Sequence, residues 1–305
     1  MRVLVTGGTG FVGSRVVMHL ARSGQYAISV LVRPTSNLKV LKPVADLVSI
    51  VECVPSAHRI EQAIRQIRPD VLVHIAASVL VSHRLDQVKE LITANILFGT
   101  LLADAMVRNE VRALVNTGSF WEHMDGTDDY RPVNLYAATK RAFQDILKYY
   151  EDADGLHHVT LKLYGVYGPH DSRSKIFSLF RKSMTSAEPL KLSPGRQVID
   201  LVYIDDVVSA YEKAIEYVYK DEAAGSATVS IGSGVGLSLH EIAKVYEDCV
   251  GHPLNIKWGG RSYRPREVMR SVADLEPAWR ILGWKPSIDL KSGILHMLKE
   301  EGVIV

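Results

Sequence analysis

Cysteine is scarce in this sequence, and neither sign of charge is in excess. The two cysteines, Cys53 and Cys249, lie far apart in a chain of 305 residues, which is too few and too scattered for a disulfide framework or a cysteine-rich metal site. The formal net charge is only +2, with acids and bases interspersed, so no strongly basic face for nucleic acid or anionic membranes is indicated. We therefore expect no metal, no nucleic-acid partner and no membrane partner.

Long hydrophobic runs and a targeting segment are also missing from the pattern. We find no run that approaches transmembrane length, and Met1 leads directly into a strand-like segment, which leaves no room for a signal peptide. These features predict a cytoplasmic protein. The hydrophobic fraction of 47% suffices for a large core, which predicts one α/β body with a smaller appended lobe.

The N-terminal segment carries the clearest chemical signal. A strand-like run over residues 2–6 is followed by three spaced glycines and then by an amphipathic, helix-like segment. The first glycine suits the turn dihedrals, the second leaves space for a pyrophosphate, and the third lets the helix pack closely on the strand. The positive end of that helix would then face an anion. The predicted dinucleotide contacts are Gly7, Gly10, Phe11, Val12 and Gly13.

The first half of the chain alternates between strand-like and helix-like segments. The strand-like segments are nearly all apolar, as expected for strands covered on both faces, and repeated right-handed crossovers between them predict a doubly wound parallel Rossmann sheet. We assign residues 1–165 to a dinucleotide-binding Rossmann domain, with a return strand and helix near 198–220. Residues 166–305 are assigned mainly to a smaller C-terminal α/β lobe that binds substrate. The predicted strands are 26–32, 47–51, 71–75, 113–117 and 158–163, and the long helices are 86–108 and 135–150.

A second chemical signal is the segment Tyr136-Ala-Ala-Thr-Lys140. Four residues apart on a helix, a phenol and an amine share one face, and a nearby cation favours the phenolate. Lys140 would therefore lower the pKa of Tyr136. The pair follows Asn116-Thr-Gly-Ser119, at the carboxyl end of a predicted strand, and ligands of open α/β sheets bind along that edge.

The order of these motifs resembles the extended short-chain dehydrogenases/reductases that act on nucleotide-diphosphate sugars, and the resemblance covers nearly the whole chain. It implies the Rossmann fold, a nicotinamide cofactor and a nucleotide-diphosphate sugar as substrate. Besides the glycine turn and the Tyr136/Lys140 pair, it rests on His74-Ile-Ala-Ala77, Asn95 in a helix ending Gly99-Thr-Leu-Leu, Val166-Tyr-Gly-Pro169, Asp200-Leu-Val-Tyr-Ile-Asp-Asp-Val207 and Leu282-Gly-Trp-Lys-Pro286.

The resemblance also implies roles for individual residues. Tyr136 would be the general acid/base, Lys140 its pKa-lowering and ribose-binding partner, and Thr117 the hydroxyl that holds the substrate oxygen. A homodimer formed by the helices 86–108 and 135–150 is implied as well. Further cofactor contacts are expected at Ala76, Ala77 and Asn95, and substrate contacts at Ser119, Lys175, Arg196 and Arg264.

Departures from the family pattern narrow the reaction. The 4,6-dehydratases of this family follow their catalytic Thr with an Asp-Glu pair, where we place Gly118 and Ser119, so dehydration is disfavoured. The related epimerase-reductases carry a Cys where Ser119 stands and a His near Lys175. Because serine is a much weaker acid than cysteine, double epimerisation is disfavoured too. The reaction that remains is hydride transfer between the cofactor and a single carbon of the sugar, as a carbinol or a ketone.

The end of the second strand predicts the cofactor. An acidic residue there suits the ribose of NAD, whereas a cation suits the 2′-phosphate of NADP. This chain has Arg33, with Ser36 and Asn37 close behind and no carboxylate nearby in sequence, which favours NADP(H), with NAD(H) also possible.

Within the family the pattern is most similar to nucleotide-diphosphate 4-keto-6-deoxyhexose reductases of the CDP-abequose or CDP-paratose synthase type. That resemblance implies NADPH-dependent reduction of a C4 ketone. Two alternatives remain open: an NAD-dependent nucleotide-sugar C4 epimerase and a non-catalytic dinucleotide-binding protein.

Overall fold

Seven parallel strands form the main sheet. The computed structural model describes residues 1–124, 126–127, 129–171, 173, 175–220 and 225–304. Its strands are β1 (Arg2–Thr6), β2 (Ala27–Val32), β3 (Val48–Glu52), β4 (Val71–His74), β5 (Ala113–Ser119), β6 (His157–Leu163), β7 (Gly165–Tyr167), β8 (Leu190–Lys191), β9 (Val198–Tyr203), β10 (Ala227–Ile231), β11 (Gly236–Ser238), β12 (Ile256–Lys257) and β13 (Arg270–Ser271). The main sheet has the order β10-β6-β5-β4-β1-β2-β3, which confirms the predicted Rossmann class.

Helices cover both faces of this sheet. The helices are α1 (Phe11–Ser23), α2 (Ala57–Ile67), α3 (Val88–Ile92), α4 (Phe98–Arg108), α5 (Leu135–Asp154), α6 (Ile176–Thr185), α7 (Ile204–Lys220), α8 (Leu239–Val250), α9 (Glu276–Leu282) and α10 (Leu290–Glu300). Strand side chains alternate between the faces, so Val3 and Val5 join the core under α1 and α7, while Leu4 joins the core under α2, α4 and α5. The sequence patterns did not predict α6 or α10.

The stretch Leu85–Arg108 is one continuous helical segment, in which a π-helical turn, Thr93–Leu97, joins α3 to α4. By length and composition alone it could cross a membrane, with a mean hydropathy of 1.5 over its most apolar 18 residues, 39% of which is buried. Our expectation that no segment approaches transmembrane length was therefore wrong. That expectation considered only uninterrupted apolar runs. Here a few charged residues interrupt the apolar pattern, but the helical segment continues through them and is apolar enough on average.

The strand near residue 198 does not return to the main sheet, contrary to our prediction. β9 pairs with β7, β11 and β13 in a separate small sheet, and β10 joins the main sheet beside β6 instead. β9 runs into α7 without a connecting loop, whereas a strand of the main sheet needs such a loop to reverse into its crossover helix. The predicted helix does pack on the main sheet, because α7 lies against β5 and β6.

Two buried aspartates of the segment 200–207 hold the lobe together. The Asp200 carboxylate, 1% exposed, accepts hydrogen bonds from the backbone of Ser233, Gly234 and Ala273 at 2.6, 2.9 and 3.0 Å. The Asp206 carboxylate accepts bonds from the backbone of residues 287 and 288, both at 3.0 Å. Because both carboxylates hold backbone amides from distant segments, this motif has a structural role.

Candidate functional site

The turn between β1 and α1 forms a cradle for an anion. Gly7 has a φ of +73°, and a Cβ at this position would lie 2.5 Å from the backbone nitrogen of Ala76. A Cβ at Gly13 would meet the carbonyl oxygen of Gly7, so the helix packs directly on the turn, as expected. α1 has no side-chain cap bond and no acidic residue in its first turn. The amides of Phe11 and Val12 at its N-terminus are therefore open to an anion.

The end of β2 carries a compact turn. The Arg33 amide donates to the Ser36 hydroxyl at 3.1 Å, the Ser36 amide donates back to the Arg33 carbonyl at 2.9 Å, and Asn37 caps the following 3-10 segment through its side chain. The Arg33 side chain is exposed. Strand register, however, places Glu52 directly opposite Val32. A carboxylate thus stands one strand away, which the sequence order did not reveal.

The loop after β4 is fixed by Asn95. Its Oδ1 accepts from the Ser78 amide at 2.8 Å, and its Nδ2 donates to the Ser78 carbonyl at 2.9 Å and to the Thr139 hydroxyl at 3.0 Å. Both amide hydrogens are used within the protein, so Asn95 positions the loop that contains Ala76 and Ala77. Its direct contact with the cofactor stays a prediction. The π-helical turn around it is a local feature often found at functional sites.

The structure also corrects the predicted hydroxyl. Thr117 Oγ1 donates to the His74 carbonyl at 2.9 Å and lies 2.7 Å from the Tyr211 hydroxyl, all within the core. Ser119 lies two residues further and therefore on the same face of β5. Its Oγ accepts a hydrogen bond from the Trp121 amide at 3.3 Å, and its side chain is near enough to the Tyr136 phenol to lower the pKa of that group. The hydroxyl that faces the site is that of Ser119.

This two-residue correction changes which residues follow the hydroxyl. They are Phe120 and Trp121, and neither is an acid. The expectation that no dehydratase-type acid pair follows the hydroxyl therefore depends on Phe120 and Trp121 instead of Gly118 and Ser119. The Trp121 ring meets the Tyr136 ring edge-on, with 6.1 Å between centroids.

Tyr136 and Lys140 lie on the buried face of α5, 7% and 0% exposed. Burial raises the pKa of Tyr136 to about 12, and the nearby Ser119 side chain and the Arg173 charge oppose this shift. Burial lowers the pKa of Lys140 to about 8, against the charge of Glu122. The expectation that Lys140 lowers the pKa of Tyr136 is thus not met, because burial dominates both groups.

These features fit a dinucleotide. Lys140 Nζ is buried and has no hydrogen-bond partner among the described residues, so a ribose hydroxyl would supply the acceptor that it lacks. A Cβ at Gly10 would lie 3.3 Å from the Gly7 carbonyl oxygen, which shows how closely the turn folds on itself at its open end. The cradle and the amine stand at neighbouring strand ends of one sheet edge, where such ligands bind.

The three predicted substrate cations lie in the lobe. Arg196 and Arg264 are exposed, and the Arg196 amide donates to the hydroxyl of Tyr263, the residue before Arg264, at 3.2 Å. Lys175 instead caps the start of α6 and donates to the Val166 carbonyl at 3.3 Å.

Three charged residues near the site had no recognisable sequence signal. The Arg173 guanidinium lies over the Phe11 ring at 4.6 Å from its centroid. Arg266 donates to the carbonyls of residues 132 and 133, at 2.6 and 3.1 Å, and so ties the lobe to the loop before α5. Glu122, directly after β5, is completely buried. All three residues make contacts with segments that are distant in the sequence, which is why no local sequence pattern marks them.

Known proteins are similar in sequence to this chain over nearly their full length. The profile of the NAD dependent epimerase/dehydratase family matches residues 3–232. The CDP-abequose synthase of Salmonella muenchen is 28% identical over 298 residues, covering 97% of both chains. The UDP-glucose 4-epimerase of Halalkalibacterium halodurans is 25% identical, covering 94% of this chain and 91% of its own.

A solved structure of similar fold contains NAD. The UDP-glucose 4-epimerase of Thermus thermophilus, in complex with NAD, superposes with a TM-score of 0.81 at 26% identity and covers all of both chains.

Lys140→Met should weaken dinucleotide binding about tenfold or more, because a charged hydrogen bond is lost, and should stabilise the free protein, because a buried unpaired amine is removed. The folded pKa of about 8 lies below the ordinary 10.5, so the unfolded chain binds more protons between these values. The gain in Tm should therefore be largest below pH 8 and disappear above pH 10.5.

Calorimetric titration with NAD⁺ and NADP⁺ and thermal melts across pH measure both effects. Lys148→Met, at an exposed position on α5, is the matched control. Unchanged cofactor affinity in Lys140→Met would remove the ribose assignment.

Proposed function

This chain belongs to the NAD-dependent epimerase/dehydratase family of nucleotide-sugar enzymes, and we propose that it reduces the C4 ketone of a nucleotide-diphosphate 4-keto-6-deoxyhexose with NADPH, in deoxysugar biosynthesis. One observation carries the proposal. The Ser119 and Tyr136 side chains lie close together near Lys140, while Phe120 and Trp121 provide no acid or base for dehydration or double epimerisation. The full-length similarity to a CDP-abequose synthase supports the same reaction class.

Bound NADPH supplies the hydride in such a reduction. As the C4 carbonyl π bond breaks, Tyr136 gives its phenolic proton to the oxygen, and water later restores that proton. The raised pKa of Tyr136 keeps the proton in place at neutral pH. The Ser119 hydroxyl holds the same oxygen, and the Lys140 ammonium stabilises the negative charge that develops nearby.

Cofactor choice depends on the ends of β2 and β3. The exposed Arg33 suits a 2′-phosphate, which favours NADPH. Glu52, opposite Val32, offers a carboxylate for a 2′-hydroxyl and favours the second candidate, an NAD-dependent C4 epimerase. Similarity to UDP-glucose 4-epimerases supports that candidate too.

A nicotinamide absorbance assay separates these candidates. The protein is given NADPH or NADH with CDP-, dTDP-, GDP- and UDP-linked 4-keto-6-deoxy sugars, each made in place by its dehydratase. We expect stoichiometric oxidation of NADPH with one nucleotide and slower oxidation of NADH. Flat absorbance with isomerisation of a plain UDP-hexose would establish the epimerase, and cofactor binding without any conversion would establish a non-catalytic protein.

Ser119→Ala should lower kcat about a hundredfold, because it removes one of the groups that hold the reacting oxygen. Thr117→Val, which keeps the side-chain shape, should leave kcat within about threefold and cost about 1–2 kcal/mol of stability, since the His74 carbonyl and the Tyr211 hydroxyl lose a partner. Steady-state kinetics and urea unfolding measure the two effects. An equal loss of kcat in a well-folded Thr117→Val would return the role to Thr117.

We also propose that the protein is a cytoplasmic homodimer formed through residues 85–108 and α5. Apolar side chains stand exposed along these helices, with Leu85, Leu97 and Tyr149 at 90, 49 and 63% exposure. A paired helical face would cover them. Sedimentation equilibrium without detergent should give twice the chain mass of 33.8 kDa. A monomer, or recovery only with the membrane fraction, would contradict this proposal.

A further inference from the structure

A buried carboxylate lies directly behind the Ser119–Tyr136 pair. Glu122 is 0% exposed, and its Oε1 accepts a hydrogen bond from Gln144 Nε2 at 2.7 Å. The same oxygen faces the Ser119 amide at 3.5 Å, which closes a capping box after β5. Gln144 also donates to the Lys140 carbonyl at 3.3 Å. Glu122 therefore links the strand end that carries Ser119 to the helix that carries Tyr136 and Lys140.

The other oxygen of Glu122 belongs to an ion pair. Lys162 Nζ, on β6, lies 3.1 Å from Glu122 Oε2 and 2.9 Å from His123 Nε2. An ammonium can only donate, so His123 Nε2 must accept, and the ring proton sits on Nδ1. That proton points to the Asp129 carbonyl oxygen, 3.1 Å away. One consistent set of proton positions thus describes the series of contacts that runs from Asp129 through His123 and Lys162 to Glu122.

We propose that Glu122, held by Lys162, is a positioning residue for the proposed reduction: it fixes Ser119 against α5 and holds a carboxylate behind Tyr136 and Lys140. The inference rests on the proposed function, because only a reduction requires the phenol to arrive with its proton. The Glu122 carboxylate acts through other residues, because it holds the Ser119 amide and Gln144, while the Glu122 backbone amide reaches the Ser119 hydroxyl in the capping box.

The charges around the pair support this role. Glu122 raises the pKa of Tyr136 and also that of Lys140, in each case as an effect secondary to burial. Arg173 acts on Tyr136 in the opposite direction, and Tyr211 lies within electrostatic range of it. The groups that face Glu122 itself are Lys162, Lys140 and Tyr130.

A charge at this position is costly unless it has a function or a partner. A buried carboxylate is tolerated only when it is paired and hydrogen-bonded, and Lys162, with 14% of its side chain exposed, provides the pair. Glutamine would retain an acceptor for Gln144 and the Ser119 amide while removing the charge. Substitution by glutamine therefore separates the charge of Glu122 from its hydrogen bonds.

The test is the pH dependence of kcat/KM for NADPH-dependent reduction. Glu122→Gln should lower kcat/KM by a factor that grows from pH 7 and reaches at least about fivefold at pH 9, because Lys140, whose pKa is about 8 in the wild type, loses its proton at lower pH without the Glu122 charge. The double variant Glu122→Gln/Lys162→Met avoids facing an amide with an unpaired ammonium and replaces the single variant if that fails to fold. Asp152→Asn, an exposed carboxylate on α5, is the matched control.

A second measurement does not need substrate. Alkaline absorbance titration of wild type and Glu122→Gln, each compared with its Tyr136→Phe counterpart, reports ionisation of Tyr136 alone. We expect ionisation at lower pH in Glu122→Gln. Superimposable titrations, or a loss of kcat/KM that is equal at every pH, would overturn the proposal. If the wild type shows no reductase activity, the proposed function fails and the titration still decides the effect of Glu122 on Tyr136.

Discussion

The candidate site depends on the junction between the end of strand β5, which carries Ser119, and the start of helix α5, which carries Tyr136. β5 is buried along its whole length, so it cannot shift without disturbing both cores of the sheet. α5 is held to the same edge by Asn95, through Thr139, and by Gln144, through Glu122. A proton donor must be placed within a few tenths of an ångström, and these contacts provide such rigidity.

The parts of the site that the sequence predicts best are those encoded locally. The glycine turn and the spacing of Tyr136 and Lys140 each depend on a few neighbouring residues and the regular geometry of one element. The choice between Thr117 and Ser119 failed for a related reason: both point to the same side of β5, and only the contacts of Tyr211 and Tyr136 distinguish them.

Contacts between distant segments could not be predicted from the sequence. Strand register brings Glu52 beside the end of β2, and a loop contact brings Arg173 to Phe11. β9 was predicted to join the main sheet because a strand followed by a helix is the repeating unit of that sheet. The missing loop between β9 and α7 was the available signal that β9 lies elsewhere.

The order of segments along the chain has a consequence for how such proteins diversify. The chain leaves the main sheet after β6, builds β7 and β9 of the small sheet, returns with α7 and β10, and leaves again for β11 and β13. Neither unit is contiguous, so no single genetic crossover can exchange one substrate lobe for another while keeping the cofactor half whole. New substrate ranges must arise in place, through point changes and altered loops around a cradle that is retained.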